Sequence, residues 1–461
     1  MKYDWSSHNR TLIGLTVPMA VEQFLRISMG NINVFLLGQY SDEAVAAVGV
    51  ANQFITMGQM LLTLAANGAA VIISQYLGAG DNENAEKAVS VTLIVSLLMG
   101  LVVCPWLVFT PTLFVGHMNL TQAIMEEAAG YLRVVGGALL WHGVFGALSA
   151  TCRCYRYPRL PMYAIVVMNI LNLTGSIWAV FGFGENVTAC IAWVNAGSTL
   201  AGTAILALAT VRRLPIKWNR SGKAVSYIRL AGQILHIGMP GGLESVSYNA
   251  SQIITTGMVA GLGMVTVSAK SYLNSIVVYI YVCGMCFGQA CQLVAARMGG
   301  AGELEKVQVF VKRNFKINLM LNVGISLCVI ASRKPLAGLL TGNNEIAGLI
   351  CNVLVIDLFI QAGRALNHCY TSSLRAVGDV RFTMTVMIAS TWLVSVPLCY
   401  IFSVYFCLGL YGIWMGFAVD ECLRGILSLF RWRKQRWKKG MEKRLAEMEN
   451  MEKKEIAAAS R

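Results

Sequence analysis

The sequence predicts an all-α membrane protein: twelve transmembrane helices in two pseudo-symmetric six-helix lobes. Three observations carry that prediction. Apolar residues make up 56% of the 461-residue chain and charged residues only 13%, whereas soluble proteins carry roughly 25% charged residues. Twelve predominantly apolar runs are long enough to cross a bilayer, which takes about 20 residues. The chain also repeats itself at a constant offset of 222 residues. A mean hydropathy of +0.59 leaves too few charges to cover a water-soluble surface, so a conventional soluble enzyme and a disordered chain are both excluded. A single-pass receptor is excluded because the apolar residues run through the whole sequence.

The expected spans, in order, are 11–38, 45–75, 88–109, 123–152, 160–184, 187–211, 230–260, 264–296, 310–332, 345–374, 381–405 and 409–430. The first is too long for a signal peptide, and no small-residue cleavage site follows it. Cationic residues alternate with these spans as membrane topology requires. If the N-terminus is cytoplasmic, 31 of the 37 Lys and Arg fall inside, and the outside loops hold only Arg333 and Lys334. The net charge of +14 therefore reads as positive-inside topology in the cytoplasmic membrane with both termini cytoplasmic. It does not read as a nucleic-acid face, for which no soluble domain exists.

The repeat justifies pairing the spans. At the 222-residue offset Pro18 falls on Pro240, Glu22 on Glu244 and Asn52 on Asn274. Gly78-Ala79-Gly80 falls on Gly300-Ala301-Gly302, Glu83 on Glu305, Gly116 on Gly338, Arg153 on Arg375 and Met162 on Met384. Six spans per half is an even number, so both halves begin on the same side and are related by an axis along the membrane normal. The expected organisation is an N-terminal lobe 1–211, a basic linker 212–229 containing Pro215 and Trp218, a C-terminal lobe 230–430 and a basic tail 431–461. Two similar halves can rock about a central cleft, which is the architecture of a secondary transporter. The tail reads as an amphiphilic cytoplasmic helix with Trp432 and Trp437 at the membrane interface, dispensable from residue 441 onward.

Thirteen cysteines sit mostly within apolar runs, where Cys acts as a small hydrophobe. Cys283 and Cys286 form a CxxC with no second CxxC or His near it, so no metal or redox role is assigned. The chemistry rests instead on charges at membrane depth, which by default are functional or paired. Glu22 and Glu244 occupy equivalent places, each four residues after a Pro, and Asp357 lies in span 10. These three are the candidate ion-coupling residues. Asp420 and Glu421 lie in span 12, and the cations Arg26, Arg133, Lys270 and Arg364 fall in or near spans. Arg26 follows Glu22 by four residues, so an internal ion pair stands beside coupling as a reading of Glu22. Glu244 has no cation three or four residues away, and Asp357 and Arg364 share a helix face two turns apart. Amide and aromatic-hydroxyl residues gather in spans 1, 2, 7 and 8. Of these, Asn33, Gln53, Tyr248, Asn249 and Asn274 are candidate cleft residues, together with Arg26 and Arg364. His142 and His368 lie in spans 4 and 10; helix–helix contact and titration near neutrality are both open to them.

Several segments together resemble the multidrug and toxic compound extrusion (MATE) transporters. LTVPMAVEQF, NINVFLLGQYSDEAVAAVGVANQ, QYLGAGDNENAEKA and PMYAIVVMNILNL resemble the first half of that family, and IGMPGGLESVSYNASQII and ALNHCYTSSLRAVGDVRFTM the second. The resemblance spans residues 10–430. It implies two lobes around a V-shaped cavity and export of a small organic compound, often cationic, in exchange for Na⁺ or H⁺. It implies no cofactor beyond that ion, and no partner beyond the substrate and membrane lipid; the chain is expected to act as a monomer. Three positions depart from the pattern. Asn33 stands where many members carry an Asp. Arg364, just before Ala365-Leu366-Asn367, stands where sodium-coupled members carry an acid, and Glu244 is displaced from the usual acidic position in span 7. Asn367 joins the candidate cleft set on this ground. A lipid-linked saccharide flippase is the related alternative. An enzyme is not expected, because no acid–base or metal constellation such as HExxH occurs.

Overall fold

The computed structural model describes residues 5–112, 121–182, 186–216 and 224–446. The repeat position Gly116, the linker cations Lys217, Arg220 and Lys223, and the tail beyond residue 446 lie outside them. Twelve helices of 24 to 38 residues follow one another, with no strand among the described residues. They are α1 Trp5–Gly38, α2 Asp42–Ala79, α3 Asn82–Phe109, α4 Gln122–Cys154, α5 Arg159–Gly182, α6 Val187–Arg213, α7 Ala224–Gly261, α8 Met264–Gly300 and α9 Leu304–Ala331. A short α10, Arg333–Leu340, is followed by α11 Asn344–Ala376. The last two are α12 Val380–Tyr405 and α13 Gly409–Arg433.

Ten of these are long and apolar enough to cross a membrane by composition alone. The remaining two are α7, with its polar stretch after Glu244, and α13, with Asp420, Glu421 and Arg424. In hydrocarbon every backbone group must be satisfied internally, so an apolar run of this length has no alternative to helix. Several helices run past the apolar segment: α7 begins at Ala224 and not near 230, and α9 at Leu304 and not near 310. Once nucleated, a helix adds one hydrogen bond per residue whether or not that residue is apolar. The eight-residue α10, which carries Arg333 and Lys334, was not expected from the sequence.

Interruptions are local. Pro18 and Pro240 sit inside α1 and α7, each lacking the N–H that would bond one turn back. In α12, π-helical turns at Thr391–Ser395 and Ile401–Tyr405 flank the segment that contains Pro397. Asp81 caps α3, accepting from the Asn84 amide at 3.0 Å, and Asn343 caps α11, accepting from the Glu345 amide at 2.9 Å. The turn glycines Gly80 and Gly302, equivalent in the repeat, both adopt left-handed conformations, with φ of 82° and 74°.

The chain divides into two compact units: one comprises residues 13–73 and 81–242, the other 1–12, 74–80 and 243–461. In the first, α3 packs on α4, and α4 and α5 pack on α6. One core gathers Leu37, Leu62, Leu132 and Ile191, and a second gathers Phe145, Ile165, Met168 and Leu206. In the second unit α11 is central, packed along α8, α9 and α13 around Leu273, Ile350, Leu354 and Ile413. The last turn of α2 belongs to this unit. There a Cβ on Gly78 would collide with the carbonyl of Arg297, and a Cβ on Gly300 with that of Gln75; only glycine lets the two backbones approach this closely.

The tail departs from the sequence expectation. Residues 436–446 are helical, but Trp432 and Trp437 are each 3% exposed and stack at 4.5 Å between ring centroids. Met441 is fully buried, against Gly299 and within 4.0 Å of the Gln75 amide nitrogen. Lys438 pairs with Glu305 at 2.5 Å. Burial of both indoles against the chain's own helix ends replaces the interfacial position expected from composition.

Candidate functional site

Two polar clusters form along the long helices, one in each unit. In the first, Glu22 on α1 is 1% exposed. It accepts hydrogen bonds from Nη2 of Arg153 at 2.8 and 2.9 Å and from the Ser149 hydroxyl at 3.3 Å. Arg26, one turn along α1, approaches the same carboxylate at 3.5 Å. Its other Nη lies 3.5 Å from Nε2 of His142, and its guanidinium sits 5.6 Å from the Phe145 ring centre. His142, Phe145, Ser149 and Arg153 come at helical spacing on α4, so a single face of one helix supplies all four.

The second cluster is built on α11. Asp357, Gln361, Arg364, Asn367, Thr371 and Arg375 recur at intervals of three or four residues, again a single helix face. Arg375 donates to Glu244 of α7 in a short ion pair. Arg364 and Asn367 both donate to Glu421 of α13, at 3.3 and 3.0 Å. Thr371 bonds to Asn367 at 2.7 Å and to Ser428 at 3.0 Å. Arg364 also lies 5.1 Å from the Tyr281 ring centre. Asp357 is 2% exposed and accepts from the Gln361 amide at 2.9 Å; it has no ion-pair partner among the described residues. Asp420 is held by Arg424 and by the Ser390 hydroxyl.

The clusters correspond through the repeat. Glu22, His142, Ser149 and Arg153 map onto Glu244, Arg364, Thr371 and Arg375, and both Glu–Arg pairs span 131 residues. The sequence offered Glu244 no local cation; the fold delivers Arg375 from α11. Arg153 and Arg375 read in the sequence as cytoplasmic loop cations, although the offset already aligned them. The signal for their role was that shared offset with the glutamates.

The other candidates are dispersed. Asn33 is 4% exposed and accepts from the Ser176 hydroxyl at 3.3 Å. Asn249 bonds back to the Ser245 carbonyl of its own helix at 2.8 Å, while Tyr248 is half-buried one turn after Glu244. Gln53 and Asn274 are exposed. Lys270, 5% exposed, donates to the Thr256 hydroxyl at 2.8 Å. Among the described residues no group of three or more His, Cys, Asp or Glu is placed to hold a metal ion.

Twelve long helices with polar clusters at repeat-equivalent positions define a polytopic membrane transporter. The MatE family model matches residues 18–178 and 240–401, two stretches whose starts are separated by the 222 residues of the internal repeat. The chain belongs to the MATE family of multidrug transporters, and it is not an enzyme. It is 30% identical to the uncharacterized transporter YisQ of Bacillus subtilis (strain 168), over 94% of this chain and 96% of that one. It is 23% identical to the probable multidrug resistance protein NorM of Thermotoga maritima, over 93% of each. Among solved structures it matches MATE in the bent conformation with a TM-score of 0.86 at 19% identity, covering 95% of this chain and 97% of that one. It also matches a Pyrococcus furiosus MOP superfamily transporter described by "reverse polarity of binding pocket", with a TM-score of 0.84 at 18% identity, over 94% and 97% of the two chains.

Proposed function

We propose that this chain is a secondary-active efflux antiporter of the cytoplasmic membrane, moving small organic compounds outward in exchange for protons. Lobes 1–211 and 230–430, joined by the linker 212–229, carry one polar cluster each, and both termini face the cytoplasm. It acts as a monomer. The observation that supports this reading best is the pair of repeat-related Glu–Arg clusters in a chain of this family. Each is a buried ion pair that alternating access can make and break as water enters one side.

Proton coupling is favoured over sodium by the state of the carboxylates. Glu22, Glu244, Asp420 and Glu421 each face a guanidinium, and a hard cation would have to displace it. A sodium site needs several converging oxygens, whereas Asp357 accepts from the amide N–H of Gln361. A carboxylate without a counter-ion in a low-dielectric interior is neutralised by taking up a proton. In this reading Asp357 carries the exchanged proton, and the Glu22 and Glu244 pairs are the elements that change partners. The fold leaves the charge of the cargo open, because a neighbour of the same architecture is described by a pocket of reversed polarity.

Efflux from inverted vesicles under separately imposed H⁺ and Na⁺ gradients tests the proposal. A pH gradient alone should drive transport, and Asp357→Asn should abolish that drive with insertion unchanged. Drive by a Na⁺ gradient alone, or full ΔpH-driven rates in Asp357→Asn, would reject proton exchange at this residue.

A further inference from the structure

Among the described residues the two clusters pair their arginines and carboxylates differently. In the α11 cluster each arginine has its own carboxylate: Arg364 has Glu421, Arg375 has Glu244, and Arg424 has Asp420. In the α1–α4 cluster two arginines share one carboxylate, and they share it unequally. Arg153 takes both Glu22 oxygens, at 2.8 and 2.9 Å, while Arg26 is left at 3.5 Å from one of them. Arg26 corresponds through the repeat to Tyr248, so this second cation beside the glutamate has no counterpart at the equivalent position of the other half.

Arg26 is also the more open of the two, its side chain 26% exposed against 16% for Arg153. It lies well inside the 34-residue α1. Hydrocarbon would not accept a guanidinium at that depth, so the open part of the side chain is read as facing water. Its remaining neighbours suit an amphiphilic guest. His142 Nε2 holds one Nη nitrogen at 3.5 Å, and Phe145 offers an apolar ring 5.6 Å away. A planar guanidinium fork matches a carboxylate or sulfonate through two parallel N–H···O bonds, which a lysine could not reproduce.

We propose that Arg26 is the residue that determines specificity at this site, receiving the carboxylate or sulfonate of an organic anion, so that the chain exports organic anions in preference to cations. This rests on the efflux reading given above. Arg153 holds Glu22 in place and leaves Arg26 free to exchange its long contact with that carboxylate for the guest. A cationic compound approaching this cluster would meet Arg26, while Glu22 is already held by Arg153.

The test uses full-length protein in inverted vesicles under an imposed pH gradient, with pyrenesulfonate as the anionic probe and ethidium as the cationic one. Wild type should move pyrenesulfonate faster. Arg26→Gln should raise the KM for pyrenesulfonate at least tenfold with a smaller change in maximal rate, and leave ethidium transport undiminished. Arg26→Lys should recover part of the loss. Ethidium transport by wild type without pyrenesulfonate transport would overturn the proposal and leave the efflux reading standing. So would an unchanged pyrenesulfonate KM in Arg26→Gln. Movement of neither probe would overturn both. If Arg26→Gln fails to insert, the wild-type preference between the two probes decides.

Discussion

Replacing Arg375 by Met removes the cation from a carboxylate that has no other ion-pair partner among the described residues: Glu244 is 4% exposed and its ion pair is with Arg375. Breaking a buried pair from one side costs about 3–5 kcal/mol, because the remaining charge stays desolvated. The Arg375 side chain is 29% exposed, which places this site at the low end, about 3 kcal/mol, or roughly 150-fold in the folded population. Glu244→Gln together with Arg375→Met removes both charges and should restore most of that loss, giving a large coupling energy in a double-mutant cycle. Arg153→Met is the internal control. Glu22 would keep Arg26 at 3.5 Å and Ser149 at 3.3 Å, so its loss should be smaller. Thermal stability of the purified protein in detergent, read as the monodisperse fraction after heating, measures all four variants. Additive effects of Glu244→Gln and Arg375→Met, or a larger loss from Arg153→Met than from Arg375→Met, would refute the electrostatic account.

Three further outcomes follow from packing and topology. Gly300→Leu should destabilise the protein by more than the ~1–3 kcal/mol typical of overpacking, because its Cβ would meet the Gln75 backbone and not a flexible side chain; the same heating assay reports it. Met441→Ala should lower stability by about 2 kcal/mol, since Met441 is fully buried, whereas a free interfacial anchor would show no change. Cysteines introduced near Asp42 and Gly263 should be labelled from outside sealed cells and one at Arg156 should not; labelling at Arg156 would invert the proposed topology.

The helices were legible because length and apolarity determine secondary structure in a bilayer with little competition. The repeat was legible because Pro18, Glu22 and the Gly78-Ala79-Gly80 turn are residues that backbone geometry or burial makes unusual, and they recur as Pro240, Glu244 and Gly300-Ala301-Gly302. What could not be read was which long side chain reaches which carboxylate. Arg26 lies four residues from Glu22, and a pair between them is one of two readings of that carboxylate; Arg26 does reach it at 3.5 Å, yet Arg153, 131 residues away, holds both oxygens at shorter range. The same blindness left Glu244 without its arginine. The tail misled for a related reason: tryptophans beside cations look interfacial by composition, and only the tertiary packing shows Trp432 and Trp437 stacked on each other and buried.

The close approaches at Gly78 and Gly300 are reciprocal. Gly78 meets residue 297 and Gly300 meets residue 75, and at the 222-residue offset each contact is the image of the other. Patch i touching j while j touches i is the signature of an isologous interface between two identical subunits. A single chain has no symmetry operator to enforce it, so here the internal repeat alone reproduces the reciprocal contact. A side chain added at either glycine lands on the opposite backbone, so both images of this contact need glycine, whereas the equivalent positions Arg26 and Tyr248 hold different residues.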